Sequence, residues 1–409
     1  MKQISRQVLP VVAIAALIIF IYVNLAAALP DIPSSKFDSA DSCACHTVFR
    51  QQWSASMHAK AITDPLYIYK RNKGDEETNG AVGKFCDGCH APVAIMAGED
   101  ASSAEKLPAQ SKEGVGCAFC HQVSGSTTPI GNTSVEVTPD GARRAQLEDA
   151  QAPHPVAYSK FHTTAEFCGN CHNVNHPANG LALEATYTEW KNSPYAKDGI
   201  VCQDCHMTPG VGPAKNPGSA ALGAPERPHI FNMTFAGGNV GLGDSKLAEE
   251  RLRGAATLSI SFDNHVVPKG SKATATVTLA NSGAGHYLPT GLTDMRQMWL
   301  VVTATTGAGA EKELFRRDFG TIFADDAGNA PVEIWAATRV RSDDRIPPKE
   351  SITEKITFLQ EDATATTVEA ALYYRSASPE IAKAANVVIP TTTMASQKAV
   401  IYASDQAKK

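Results

Sequence analysis

Five cysteine pairs, each closed by a histidine, constrain this chain more than any other feature. Four have the spacing C-x-x-C-H: Cys86, Cys89 and His90; Cys117, Cys120 and His121; Cys168, Cys171 and His172; Cys202, Cys205 and His206. The fifth, Cys43, Cys45 and His46, is one residue short. All ten cysteines fall in these pairs, and all lie before residue 206 of 409. Paired cysteines serve as disulfides in exported chains and as zinc ligands in C-x-x-C knuckles. Neither use explains a histidine after every second cysteine. Histidine is 12 of 409 residues, so five such coincidences have a chance of about one in fifty million. C-x-x-C-H is the attachment signature of c-type haem. Two thiols bond the vinyl groups of one porphyrin, and the adjacent histidine comes up beneath the iron. The four regular pairs therefore read as haem c sites with His90, His121, His172 and His206 as proximal ligands.

The short pair has three readings. Both thiols bond haem through a tighter loop; or Ser42 stands at the first-cysteine position and Cys45 alone bonds; or no haem binds and Cys43 is buried. The residues downstream favour haem. Trp53-x-x-Ser56-x-His58-Ala59 comes after the short site, and Trp190-x-x-Ser193-x-Tyr195-Ala196 leads into the Cys202 motif. In both cases a haem motif comes next in the chain. An internal repeat of this kind makes Cys43, Cys45 and His46 the head of a haem module, for five haems in all.

The stretches "CDGCHAPVAIMAGE", "GVGCAFCHQV", "FCGNCHNV" and "ATYTEWKNSPYAKDGIVCQDCHM" resemble the cytochrome c-554 family of multihaem cytochromes. The resemblance spans residues 41 to about 240. It implies closely stacked haems, mostly with two histidine ligands, that pass electrons. The chain departs from it in the short first motif and in Tyr195, which is not expected to repeat the ligand role of His58.

Seven histidines remain for the second ligand positions. His58 stands in the repeated segment. His286 lies in "GAGHYLPTGL", where Gly283, Gly285, Pro289 and Gly291 suit a turn held close to a flat group. Related multihaem proteins carry a similar G-H-x-x-P-T-G stretch, and the resemblance implies a ligand there. It implies the same for His229, in "ERPHIFNMTFAGGN", and for His154, ahead of the third regular motif. His162 and His176 compete for the fifth place, with His162 preferred. His265 reads as a strand-end surface histidine. Met57, Met96, Met207 and Met233 are alternatives that would raise the potential.

The rest of the chain divides by composition. Residues 31–240 are rich in Gly, Pro, Ala and polar residues, too poor in periodic apolar stretches for an ordinary core. The expected fold there is mostly irregular, with short helices at the motifs and haem faces as apolar bulk. Residues 245–409 lack cysteine and carry recurrent β-rich runs: "ATLSISF", "KATATVTLAN", "MWLVVTATT", "VEIWAATRV", "ITEKITFL", "VEAALYYR" and "KAVIYAS". Seven short strands separated by turn residues predict an all-β, immunoglobulin-like sandwich.

Residues 1–30 predict a hydrophobic helix. Lys2 and Arg6 precede the apolar run, and Asp31 comes after it, which places the remainder outside the cytoplasm. Val8–Leu29 is 22 residues, enough for an anchor. The alternative is a signal peptide cut after Ala28. A net charge of -5 gives no reason to expect nucleic acid as a partner. The sequence thus points to a five-haem cytochrome relaying electrons on the outer side of the cytoplasmic membrane. Its expected partners are redox proteins, such as a membrane quinol-oxidising complex or other multihaem cytochromes. One alternative is a reductase or oxidase of a small nitrogen or sulfur compound with one open iron, assigned to the short site. Another is a subunit of an extracellular polymeric cytochrome.

Overall fold

The computed structural model describes residues 29–404. The N-terminal apolar run, and with it the anchor or signal reading, lies outside the described residues. Among the described residues no helix is long and apolar enough to cross a membrane.

Short helices carry the haem motifs. They include α1 (Thr47–Ala55), α2 (Pro65–Thr78), α3 (Gly83–His90), α4 (Cys117–Gln122), α5 (Ala165–Gly169), α6 (Thr186–Lys191) and α7 (Cys202–His206). The helical form follows from the spacing. Residues i, i+3 and i+4 share one helix face, so both cysteines and the histidine of C-x-x-C-H point the same way. In the Cys168–His172 motif the regular helix ends at Gly169, yet His172 N still donates to Cys168 O at 3.0 Å. The short motif instead sits in tight 3₁₀ turns, Ala40–Ser42 and Ala44–His46. Fewer residues per turn let the shorter spacing keep its groups together. Two small apolar clusters, one around Phe37 and Phe119 and one around Ile62 and Leu107, are what this region buries.

The C-terminal region is β-rich but opens with a helix, α8 (Ser245–Ala255), in a stretch expected to be all β. Asp244 caps it, and Ala248 and Leu252 pack into the core behind it. The strands are β1 (Ala256–Phe262), β2 (Val266–Pro268), β3 (Lys272–Asn281), β4 (Gln297–Thr306), β5 (Glu311–Phe319), β6 (Thr321–Ala324), β7 (Arg339–Asp343), β8 (Ser351–Leu359), β9 (Ala365–Arg375) and β10 (Thr392–Ser404). One sheet has the order β2-β10-β9-β4-β5 and the other β8-β3-β1, while β6 and β7 form a separate hairpin. Only the β2–β10 pair of the two main sheets is parallel. Alternation drives the packing: Ala273, Ala275, Val277 and Leu279 of β3 face inward against Leu300, Val302 and Leu372.

The segment 332–340, expected to be a strand, is a 3₁₀ turn (Ile334–Ala336) leading into β7. It curls over the haem region because Ile334 and Ala337 pack with Leu183. Leu66 of α2 also packs with Met295 and Ala377, so the two regions share buried contacts. Lys70 adds a polar tie: its Nζ is 2.6 Å from Asp294 and also pairs with Glu333, which takes Lys73 as well.

Candidate haem sites

All ten cysteines line one connected cavity of about 1470 Å³, together with all five proximal histidines. Cysteines of different motifs lie close to one another: Cys43 to Cys117, Cys89 to Cys171 and Cys168 to Cys202. The motifs are therefore packed close together, with the Cys168–Cys171 motif beside two others.

Each proximal histidine is oriented through Nδ1. That nitrogen lies 2.7 Å from Ala220 O in His46, 3.0 Å from Ala61 O in His90, 2.7 Å from Arg144 O in His121 and 2.7 Å from Ala236 O in His206. In His172 the partner is Glu184 Oε1 at 3.3 Å. A donated Nδ1–H fixes the tautomer that leaves Nε2 as a ligand. Burial holds the imidazoles of His90 and His121 below their ordinary value, and burial with the nearby His286 takes His206 down to about 4. These stay neutral, the form that binds metal. His172 is the exception. Burial pulls it down, but Glu184 outweighs this and raises it.

Four second histidines stand opposite proximal ones. Ring centroids are 6.3 Å apart for His46 and His154, 5.9 Å for His121 and His162, 6.2 Å for His172 and His58, and 6.3 Å for His206 and His286. An imidazole nitrogen binds a transition metal at about 2 Å and lies about 1 Å from its ring centre, so two rings on one iron have centroids about 6 Å apart. The spacing fits an iron between each pair. Burial lowers His58 to about 3 and His162 to about 4. His162 Nε2 is 3.0 Å from Cys120 O, the carbonyl beside its facing histidine.

His90 differs. Its ring stacks on Tyr67 at 3.9 Å and 7°. The Tyr67 hydroxyl donates to Asp87, which Arg71 also holds. No second histidine is paired with His90 among the described ring contacts. His229, expected as a ligand, does not line the cavity: its ring stands edge-on to Phe231 at 4.8 Å, and Nδ1 accepts from Asn216 N at 3.1 Å. A short hairpin, Gly218–Ser219 with Glu226–Arg227, folds that loop onto itself. An open iron at the short site is likewise not what the geometry gives, because His154 faces His46. Among the described ring contacts, the proximal histidine that faces no second histidine is His90. His176 is buried, with Nε2 3.1 Å from Trp335 O and Nδ1 accepting from Ala178 N. His265 is exposed. Met57, Met207 and Met233 line the cavity, whereas Met96 is in the apolar core.

The sequence repeat has a structural form. Trp53 Nε1 donates to Val115 O at 2.9 Å, and Trp190 Nε1 donates to Ile200 O at 2.8 Å. Val115 N donates to His58 O, and Ile200 N donates to Tyr195 O. Val115 and Ile200 each stand two residues before a C-x-x-C-H helix. The unit led by the short site therefore closes on Cys117, not on the next motif in sequence. The Cys86–His90 motif is an insertion within it.

Residues 42–122 match the family described as cytochrome c554 and c-prime. A search of curated proteins returned no match. Among solved structures, a penta-heme cytochrome c552 from Thermochromatium tepidum has 21% sequence identity, covers 90% of this chain and 100% of that chain, and gives a TM-score of 0.66. Over residues 42–122 the chain is thus similar to that family, and over most of its length its fold is similar to that of a penta-heme cytochrome. A CARDB domain from Pyrococcus furiosus has 12% identity and covers 36% of this chain and 87% of that chain, and its TM-score of 0.21 is too low to bear on the fold. The residues present fit haem c at the motifs on chemistry as well as spacing: two thiols, an imidazole oriented through Nδ1 and an apolar-walled cavity.

Glu184, Tyr67, Asp87, Glu189 and Arg345 were not singled out from the sequence. Their partners lie up to 156 positions away, and nothing local marks them.

Proposed function

We propose that this cytochrome holds five haems and relays electrons among them, with four irons carried by two histidines and the fifth open on one side. The observation that carries this is the set of four histidine ring pairs at 5.9–6.3 Å. The pairs are His46 with His154, His121 with His162, His172 with His58, and His206 with His286. Bound haem supplies a porphyrin-held iron that takes up and gives back one electron. The chain's part is to hold, space and bury. Motifs packed close to one another keep the sites adjacent. Backbone carbonyls on Nδ1 hold four of the proximal imidazoles in one orientation, and Glu184 holds the fifth, His172.

The close cysteines support a branched order, from the short site to the Cys117 motif, and from the Cys168 motif to both the Cys86 and Cys202 motifs. Gln203, within the Cys202 motif, donates to His162 O, and His162 faces His121, which joins the halves. The short site is the exposed end: Cys45 is exposed, Val48 is 59% exposed, and Leu222, whose N–H donates to Cys45 O, is 70% exposed. A redox partner, such as a quinol-oxidising complex or another multihaem cytochrome, would approach there. The apolar N-terminal run supports a place on the outer side of the cytoplasmic membrane. The strand order of residues 245–404 supports reading that region as an immunoglobulin-like domain that closes the array.

A second reading has one support. Among the described ring contacts His90 meets Tyr67 and no second histidine, which supports a site where a small oxygen-, nitrogen- or sulfur-containing molecule reaches its iron. The test is intact mass of the denatured holoprotein with electron paramagnetic resonance of the ferric state. Five haems, four low-spin signals and one high-spin signal are expected. Five low-spin signals would remove the open site, and four haems would remove the short motif. Binding of cyanide or nitrite at the high-spin iron would favour the enzyme.

A further inference from the structure

We propose that Glu189 is a positioning residue for His286, fixing the loop that presents this histidine to the site at His206. The inference rests on the reading of His286 as an iron ligand. Glu189 sits on α6, directly before Trp190 of the repeat, and is buried. Its Oε2 accepts the backbone N–H of Tyr287, the residue after His286, at 3.1 Å, and the Thr290 hydroxyl at 2.6 Å. Its Oε1 pairs with Arg345 at 2.5 Å, and both side chains are nearly closed to solvent. Arg345 in turn stacks over Tyr287 at 5.0 Å and bonds Asp343. One carboxylate from the haem region thus grips both ends of the segment His286–Thr290, which belongs to the C-terminal domain.

The loop is held from its other side by Tyr195, whose hydroxyl donates to Ser282 O at 3.2 Å. Lys349 reaches the same carbonyl at 2.8 Å. Asn281 Nδ2 donates to His286 O at 2.8 Å. None of these groups supplies a negative charge to the His286 flank except Glu189. The matching position in the first unit behaves alike: Gln52, directly before Trp53, accepts the Met233 N–H at 2.9 Å. The position before the repeat tryptophan is a loop-holding position in both units. In the second it is charged, because its partner Arg345 comes from another domain.

A ligand on a loop is kept in place by the bonds behind it, and losing them costs about tenfold or more in metal-site properties. The test uses the full-length holoprotein with Glu189→Ala, Glu189→Gln and Thr290→Val, with His286→Ala as reference and Arg316→Ala, in an exposed pair on β5, as control. His286→Ala should convert one low-spin ferric signal to high-spin. Glu189→Ala should weaken that same signal and speed cyanide binding at that centre about tenfold. Glu189→Gln and Thr290→Val should fall between it and wild type. Should Glu189→Ala fail to yield holoprotein, the other two carry the test. If His286→Ala alters that signal while Glu189→Gln and Thr290→Val leave signal and cyanide rate at wild-type values, the positioning role is wrong. If His286→Ala alters nothing, the ligand reading itself fails.

Discussion

The two copies of the tryptophan unit share a backbone and differ in what they reach. In the first, His58 extends across to His172 and supplies a histidine to the other unit's leading motif. In the second, Tyr195 occupies the same place, with its carbonyl receiving the Ile200 N–H as His58 O receives that of Val115. Its hydroxyl reaches Ser282, at the base of the His286 loop. On the proposed ligation, an internal unit hands its ligand on to the next haem pair. The last unit has no next pair, and the same position holds the domain that ends the array. That domain returns a histidine, His286, to the terminal motif. A repeat array needs such a cap, because its final unit has no neighbour to cover it.

The largest break in this comparison comes from His58→Ala set beside Tyr195→Phe. His58 stands 6.2 Å from His172, so its loss should turn the iron at His172 high-spin. Tyr195→Phe removes one hydrogen bond to a backbone carbonyl, worth about 1 kcal/mol, and should leave all low-spin signals in place. Paramagnetic resonance of both holoproteins checks this. Equal spectra from the two variants would end the distinction between handing on and holding.

Much of this was legible in the sequence, and the limits have physical causes. The motif helices follow from i, i+3 and i+4 spacing, and β1, β3, β4, β8, β9 and β10 follow from apolar alternation. The strand β5 was missed because six of its nine residues, from Glu311 to Phe319, are charged: it is an edge strand with one face in water. Segment 332–340 read as a strand because its apolar residues are consecutive, yet they turn inward onto Leu183. Among the histidines, His58, His154, His162 and His286 lie opposite proximal rings while His229 does not. Local sequence around His229 resembles a ligand loop, but pairing depends on contacts such as His58 with His172, which no local pattern encodes. The repeat was visible, yet not its closure on Cys117, because the insertion carrying Cys86 to His90 comes first in the chain.

The next effect is on the join between the two regions. Lys70 is almost closed to solvent between Asp294 and Glu333. Lys70→Met leaves Asp294 without its cation and Glu333 with only the more exposed Lys73. Breaking a buried pair from one side costs about 3–5 kcal/mol, so the thermal midpoint of the holoprotein should fall clearly. Val277→Ala, deep in the sandwich, should instead lower the melting of the C-terminal domain by the cost of a cavity, about 1–3 kcal/mol. Calorimetry separates them: Lys70→Met should uncouple the two regions into distinct transitions, and Val277→Ala should not.

A smaller effect is electronic. Glu184 accepts from His172 Nδ1 where the other proximal histidines use a neutral carbonyl. A carboxylate there makes the imidazole a stronger donor and favours the ferric state. Glu184→Gln should raise the potential of one centre without changing any spin state. Redox titration followed in the visible spectrum reads this. An unchanged set of potentials would make Glu184 a packing residue.

The smallest effect is on acid sensitivity, and its sign is fixed by Glu333. Burial pushes this carboxyl up, but Lys70 and Lys73 outweigh that and hold it below its ordinary 4.5. A carboxylate lowered on folding stabilises the fold above its unfolded value and ceases to as pH falls through its folded value. The interface between the haem region and the C-terminal domain should therefore weaken below about pH 4.5. Lys70 contributes in the opposite range, since its raised value keeps it charged until pH exceeds its ordinary 10.5. Glu333→Gln should flatten the acid side of the stability curve while lowering stability at neutral pH. Melting curves of both proteins between about pH 3 and 7 decide it: parallel acid limbs would mean that other carboxylates, not this link between the regions, set the acid response.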